Sequence, residues 1–263
     1  MSARSFRKSG RPEAVQWEAA GLRWLADAAR GGDGSGNCSG GGGAPVVEII
    51  RADRDELVLE HLDQVSPSEV DAFAFGAALA RTHAAGAPGW GVGPDGWEGH
   101  GLQGPAGDQL PLPLATPGEF SSWGEMWADL RLAPLNEKAR IPEVDAVCDR
   151  LRAGAFDDGE LPARVHGDLW AGNVMWTAAG GVLIDPTPYG GHPLDDLAAL
   201  HLFGAPHCEH IVAGYQSVHP LVETWRSRIG LHQLHLLLLH VVLFGGSYRG
   251  QTVRAAESAL ALG

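Results

Sequence analysis

His166-Gly167-Asp168-Leu169-Trp170-Ala171-Gly172-Asn173, followed twelve residues later by Asp185 at the end of the apolar run Val182-Leu183-Ile184, is the stretch that decides the fold. An Asp, an Asn five residues on, and a second Asp closing a buried strand supply what phosphoryl transfer from a nucleotide requires. One carboxylate meets the acceptor hydroxyl, while an amide oxygen and another carboxylate hold Mg²⁺ against the phosphates. Asp168 and Asn173 beside Gly172 would also suit a plain turn, since both residue types favour turns. The strand ending in Asp185 tips the balance, because three oxygen ligands then fall where one cation can collect them.

The spacing of Asp168 and Asn173 is the D-x-x-x-x-N of protein-kinase catalytic loops. Around it stands a chain of 263 residues, 44% hydrophobic, with nine Trp, which is ample for a core and argues against disorder. That length exceeds a usual single domain and favours two lobes sharing a cleft. The longest apolar stretch, Leu234 to Phe244, falls short of the ~20 residues of a membrane span, is interrupted by His235 and His240, and reads as a buried helix. No apolar segment follows Arg4, Arg7 and Lys8, so the N-terminus does not read as a signal peptide and a cytoplasmic protein without membrane contact is expected.

Cys38, Cys148 and Cys208 are odd in number, widely spaced and free of C-x-x-C, which argues against a disulfide framework or zinc knuckle. A net charge of −13 disfavours a nucleic-acid partner and tolerates a cationic amine substrate. A monomer is the expected state.

Along the chain, the pattern predicts a strand over Ser5–Lys8, a helix over Pro12–Ala29 and a flexible Gly-rich linker to Gly43. Gly32, Gly34 and Gly36 alternate there, but no Lys-Ser/Thr and no helix follows, so this is not read as a phosphate loop. Val46–Ile50 and Glu56–Glu60 read as a hairpin with its turn at Arg51–Asp55. Ser66 with Glu69 reads as a capping box opening a helix to about His83, with Val70, Phe73, Ala77 and Ala80 facing inward and Leu79 beside them. Gly86–Gly118 reads as a surface loop, Ser122–Leu132 and Pro142–Ala153 as helices, and Ala163–Asp185 as strand-loop-strand. Helices are then expected at Leu194–Phe203, Glu209–Tyr215, His219–Arg228, Leu231–Phe244 and Gly250–Leu262. His201, His207, Cys208 and His210 crowd together, but at no zinc-motif spacing. His232, His235 and His240 read as polar members of a buried or half-buried helix.

The chain resembles the fructosamine (ketosamine) kinase family, a branch of the aminoglycoside-phosphotransferase and protein-kinase-like fold. The segments that carry this are HGDLWAGN (His166–Asn173), DPTPYGGHPLDDLA (Asp185–Ala198), LFGGSYRGQ (Leu243–Gln251), EAAGLRWL (Glu18–Leu25) and FGAALARTHA (Phe75–Ala84). The resemblance spans nearly the whole chain. It implies a bilobal α+β kinase-like fold, with residues 1–62 as a small β-rich N-lobe and 63–263 as a helical C-lobe.

It further implies an ATP- and Mg²⁺-dependent kinase that phosphorylates the C3 hydroxyl of a ketoamine, free or protein-bound, and so leads to deglycation. Asp168 would be the catalytic base, with Asn173 and Asp185 holding Mg²⁺. Lys8 would grip the α and β phosphates, Glu18 would pair with Lys8, and Glu60, His61 and Leu62 would offer backbone groups to adenine at the hinge. Trp170, Tyr189, His192 and Asp195 would line the acceptor pocket; His166 and Asp196 would be structural, Asp196 bonding back to the catalytic loop.

One departure stands out. Family members place a strand, a Gly-containing phosphate-covering loop and a second strand before the lysine strand, whereas Met1 lies seven residues before Lys8. The expectation is a sheet of about three strands with an exposed edge, weak ATP binding and slow turnover. Two rival readings remain: a kinase for another small alcohol such as an aminoglycoside or choline, and a pseudokinase-like nucleotide-binding protein.

Overall fold

The computed structural model describes residues 4–30 and 42–262. The Gly-rich run, with Gly32, Gly34, Gly36 and Cys38, lies outside the described residues except for Gly42 and Gly43.

Strand β1 (Ser5–Ser9) leads into helix α1 (Pro12–Ala29). Pro12 sits in the first turn of α1, where its missing N–H costs nothing. Strands β2 (Ile49–Ala52) and β3 (Glu56–Glu60) complete an antiparallel sheet of order β1-β3-β2, with Lys8 opposite Leu57. The expected strand Val46–Ile50 is therefore shifted: Val46 makes an isolated parallel bridge to Leu183, and the hairpin begins at Ile49. Val15, Ala19, Leu22, Val47, Leu57, Leu59 and Val182 form the small core beneath this sheet.

Helix α2 (Glu69–Ala84) is capped by Ser68 with Asp71, not by Ser66 with Glu69. Two overlapping boxes compete in Ser66-Pro67-Ser68-Glu69-Val70-Asp71, and Val65 N–H donates to Trp176 O, which holds the chain extended past the first. The expected inward face is corrected with it: Val70 and Phe73 are exposed, and Ala72, Phe75, Leu79 and Ala80 are buried.

Nor is Gly86–Gly118 merely a surface loop. Strands β4 (Gly101–Gln103) and β5 (Leu110–Leu112) pair within it, and Trp90, Val92, Leu112 and Ala115 enter the core. The expected helix Ser122–Leu132 is a short α3 (Trp123–Met126) continuing into a π-helical segment, Trp127–Leu132, before α4 (Ala133–Ala139). Pro134 cannot donate an N–H to the preceding turn, and the ladder widens there.

Helix α5 (Pro142–Arg152) precedes β6 (Ala163–Val165), the catalytic-type loop, and the antiparallel pair β7 (Val174–Thr177) and β8 (Gly180–Leu183). Strand β9 (Tyr189–Gly191) returns against β6. The remainder is helical: α6 (Pro193–Leu202), α7 (Cys208–Gln216), α8 (Trp225–Phe244) and α9 (Arg249–Leu260). The expected helix His219–Arg228 does not form. His219-Pro220 breaks it, and α8 starts at Trp225 as a single 20-residue helix.

Helix α8 is long and apolar enough by composition to cross a membrane. Its Leu231, Leu234, Leu237 and Leu238 are wholly buried in the largest core cluster, against α4, α6 and α9.

Candidate active site

Strand β1 and helix α1 bring Lys8 and Glu18 together: the Lys8 ammonium donates to Glu18 Oε1 at 2.8 Å and also pairs with the carboxylate of Asp185. The approach depends on Gly21, one turn beyond Glu18. A Cβ there would lie 2.9 Å from the Pro188 ring and 3.1 Å from that of Pro186, so only glycine lets the segment after Asp185 rest directly on α1. Burial pushes the Glu18 carboxyl up to about 7, against the pull of Lys8. Burial also works against the Lys8 charge, yet Glu18 and Asp185 together hold the ammonium above its ordinary value.

The loop between β6 and β7 is fixed by hydrogen bonds from both sides. His166 is buried; its Nε2 faces Ile184 O at 2.8 Å, and its Nδ1 accepts from Asp168 N–H at 3.3 Å. That pattern requires a neutral ring protonated on Nε2, consistent with burial lowering its pKa. The Asp196 carboxylate accepts from His166 N–H (2.7 Å) and Gly167 N–H (2.9 Å) and meets His83 Nε2 at 3.0 Å. Burial alone would raise the Asp196 pKa; the His83 contact overcomes this and holds it below the carboxylate range.

Asn173 donates its amide N–H groups to Asp168 O (2.7 Å) and Asp168 Oδ2 (3.1 Å). Its amide oxygen accepts from none of the described residues. Burial drives Asp168 up to about 7; the Asn173 hydrogen bond lowers it, and the charges of Asp185 and Asp196 raise it further. Asp185, two residues past the end of β8, takes a left-handed backbone conformation with φ 52°, a strained choice for a residue other than glycine. Two crowded carboxylates and one unpartnered amide oxygen suit a hard, oxygen-preferring divalent cation such as Mg²⁺. Asn173 and Asp185 are the residues that could hold it.

These residues line one cavity of about 1120 Å³. Lys8, Glu18, Asp168, Trp170, Asn173 and Asp185 all face it. Trp170 folds back over its own loop: a Cβ on Gly172 would sit 2.2 Å from the indole.

Three expected acceptor-pocket residues do not reach the cavity wall. Tyr189, His192 and Asp195 are buried behind it: Tyr189 lies on β9, paired with Val165 of β6, and His192 and Asp195 stand at the N-terminus of α6. Asp195 accepts from His192 N–H (3.0 Å) and meets His232 Nδ1 at 2.7 Å. His192 turns its Nε2 to Asp158, and Arg131 lies 4.0 Å above the Tyr189 ring. Asp195 thus has no face toward a substrate amine. Burial works against charge on two members, raising Asp195 to about 7 and lowering His232 to about 3, while His192 and Arg228 hold the Asp158 carboxyl below its ordinary value.

Nor do Glu60, His61 and Leu62 line the cavity; Glu60 N–H donates to Glu48 O and His61 N–H to Arg4 O, so these amides serve the sheet. Residues that the sequence did not mark as part of the site complete the wall: Arg7 and Arg11 on one rim, Gly104–Gly107 and Gln109 of the β4–β5 turn, and Phe203, Leu239 and His240 from the helices. Leu243 and Phe244, which open the segment Leu243–Gln251, were the local hint to the helical side. Of the histidine crowd, His207 and His210 gather with Glu69 at the ends of α7 and α2, with ligand atoms within 4.8 Å of one another, apart from the cavity.

Comparison with known proteins agrees with this geometry. Residues 45–261 match the family model described as fructosamine kinase. A probable ketoamine kinase of Synechocystis is 30% identical over 226 residues, covering 82% of this chain and 71% of that protein. The crystal structure of a candidate fructosamine-3-kinase from Thermobifida fusca superposes with a TM-score of 0.81 at 36% identity, covering 98% of this chain and 86% of that one. An ADP-bound aminoglycoside phosphotransferase, 12% identical with a TM-score of 0.53 and coverage of 95% and 82%, shares the fold alone. The fold is protein-kinase-like, and the chain belongs to the fructosamine kinase family.

Proposed function

We propose that the protein transfers the γ-phosphoryl group of ATP to the C3 hydroxyl of a ketoamine, giving a phosphoketosamine that breaks down and frees the amine. The supporting observation is the convergence of Asp168, Asn173, Asp185 and Lys8 on one cavity wall. In this reading residues 1–62 form the nucleotide-side lobe and 63–263 the acceptor-side lobe. Lys8, set by Glu18, binds the α and β phosphates. Asp168, held by the Asn173 amide, accepts the proton of the acceptor hydroxyl as the new O–P bond forms and the bond to ADP breaks. Asp196 and His166 position that loop through its backbone. Bound at Asn173 and Asp185, Mg²⁺ would supply neutralisation of charge on the nucleotide phosphates. Trp170, half-exposed at the loop, offers its face to the sugar or the amine.

A coupled ADP assay with a substrate panel tests the assignment. Turnover of fructosyl-lysine, with little on aminoglycosides, choline or homoserine, is expected. Robust antibiotic phosphorylation with none of any ketoamine would reverse the reading.

A further inference from the structure

Large apolar side chains left exposed on a folded surface mark binding sites when they gather. Among the described residues, Trp170 (40% exposed), Phe203 (37%) and Phe244 (55%) gather on one wall of the cavity. They form a continuous strip. The Trp170 and Phe203 ring centroids are 6.1 Å apart, Phe203 and His240 5.2 Å, and His240 and Phe244 5.3 Å. The strip starts in the catalytic loop, two residues past Asp168, and ends at Phe244, the last residue of α8.

His240 is held in place by its Nδ1, 2.7 Å from Leu236 O. That carbonyl accepts only if Nδ1 carries a proton, so a neutral ring keeps Nε2 free as an acceptor among the described residues. The carboxylates on the cavity wall, among the described residues, are Glu18 and Asp185, which pair with Lys8, and Asp168, held by Asn173 in the catalytic loop. The part of the wall built by Phe203, Leu239, His240, Leu243 and Phe244 carries no carboxylate to meet a second ammonium.

Resting on the ketoamine-kinase reading, we infer that Phe203, His240 and Phe244 form the subsite for the amine-borne substituent of the acceptor. It takes an aromatic or other apolar substituent in preference to one bearing a further charge. The secondary ammonium of the ketoamine itself lies near the Trp170 and Phe203 faces, where cation–π attraction holds it.

The test compares four fructose adducts on the full chain with Mg-ATP: those of methylamine, phenethylamine, glycine and the lysine side-chain amine. The phenethylamine adduct is expected to exceed the lysine and glycine adducts by about tenfold or more in kcat/KM, the scale on which apolar pockets discriminate. Phe244→Ala, at an exposed helix end where folding is insensitive, should bring the phenethylamine-to-methylamine ratio toward one. Phe203→Leu should lower the same ratio.

Equal turnover of all four adducts, a preference for a charged one, or an unchanged ratio in both variants would overturn the subsite while leaving the kinase reading standing. Failure to phosphorylate any ketoamine, with turnover of another alcohol, would overturn both.

Discussion

The side-chain amide of Asn173 donates to both the backbone carbonyl and the carboxylate of Asp168, at 2.7 and 3.1 Å. One residue therefore braces the proposed base with its N–H groups while keeping its oxygen for a cation. Asp168, pushed up by burial to about 7, is a carboxyl that exchanges its proton near neutrality. Activity should rise with pH through about 7, as the base ionises. Asn173→Ala removes the one interaction that lowers this pKa, so the acid limb of kcat/KM against pH should move to higher pH, with a loss in kcat of about 10²-fold or more. A pH–rate profile of both proteins checks it; an unmoved limb would disconnect the two residues.

Lys8 is the cation between Glu18 and Asp185, and its removal leaves two carboxylates facing each other. The folded Glu18 pKa, already raised to about 7, would climb further in Lys8→Met. A carboxyl raised above its unfolded value keeps its stability below the unfolded pKa and loses it as pH rises through the folded one. Lys8→Met should accordingly destabilise by about 2 kcal/mol at pH 8 and by clearly less at pH 5. Urea denaturation at the two pH values measures this, and Glu18→Gln in the same background should restore part of the loss at pH 8.

Asp196 is buried and satisfies the amides of His166 and Gly167 together with His83. Asp196→Ala strands two backbone N–H groups and a histidine in the core, which costs about 3–5 kcal/mol. Chemical denaturation should show that drop, together with loss of phosphoryl transfer. A variant as stable as the parent would mean that the loop is held by other contacts.

If Asp185 holds the divalent cation, Mg-ATP should raise Tm more than ATP with a chelator does, and Asp185→Asn should abolish most of the difference. A thermal-shift titration in both proteins decides it. Equal shifts with and without Mg²⁺ would remove Asp185 from the cation site.

Much of the site was legible because its ligands lie on one continuous stretch. Asp168, Asn173 and Asp185 are bound to converge once β7 and β8 pair as a hairpin, and a hairpin is a short-range event. Lys8 and Glu18 sit on adjacent elements, and the ion pair between them follows from their placement. What sequence reading missed was decided at long range. Tyr189, His192 and Asp195 follow Asp185 closely in sequence, yet their partners are Arg131, Asp158 and His232, on elements that no local pattern connects to them. The wall built from Phe203 and His240 was equally hidden, since it needs α6 and α8 to pack. In α2, an Ala-rich sequence apolar on several sides could not say which face turns inward, and Val70 and Phe73 lost to Ala72 and Phe75.

In the proposed reaction Asp168 receives the acceptor's proton beside a nucleotide held by Lys8, Asn173 and Asp185. Phosphorus NMR of wild type and Asp168→Asn with Mg-ATP and a fructosyl ketoamine tests it most directly. In the wild type, ADP should form in step with the sum of the phosphoketosamine and the phosphorus-containing product of its breakdown. In the variant, nucleotide affinity should be retained and transfer reduced by about 10²–10⁴-fold. A variant that transfers phosphate at the wild-type rate, or a wild type that binds Mg-ATP and yields neither phosphoketosamine nor its breakdown product, would contradict it.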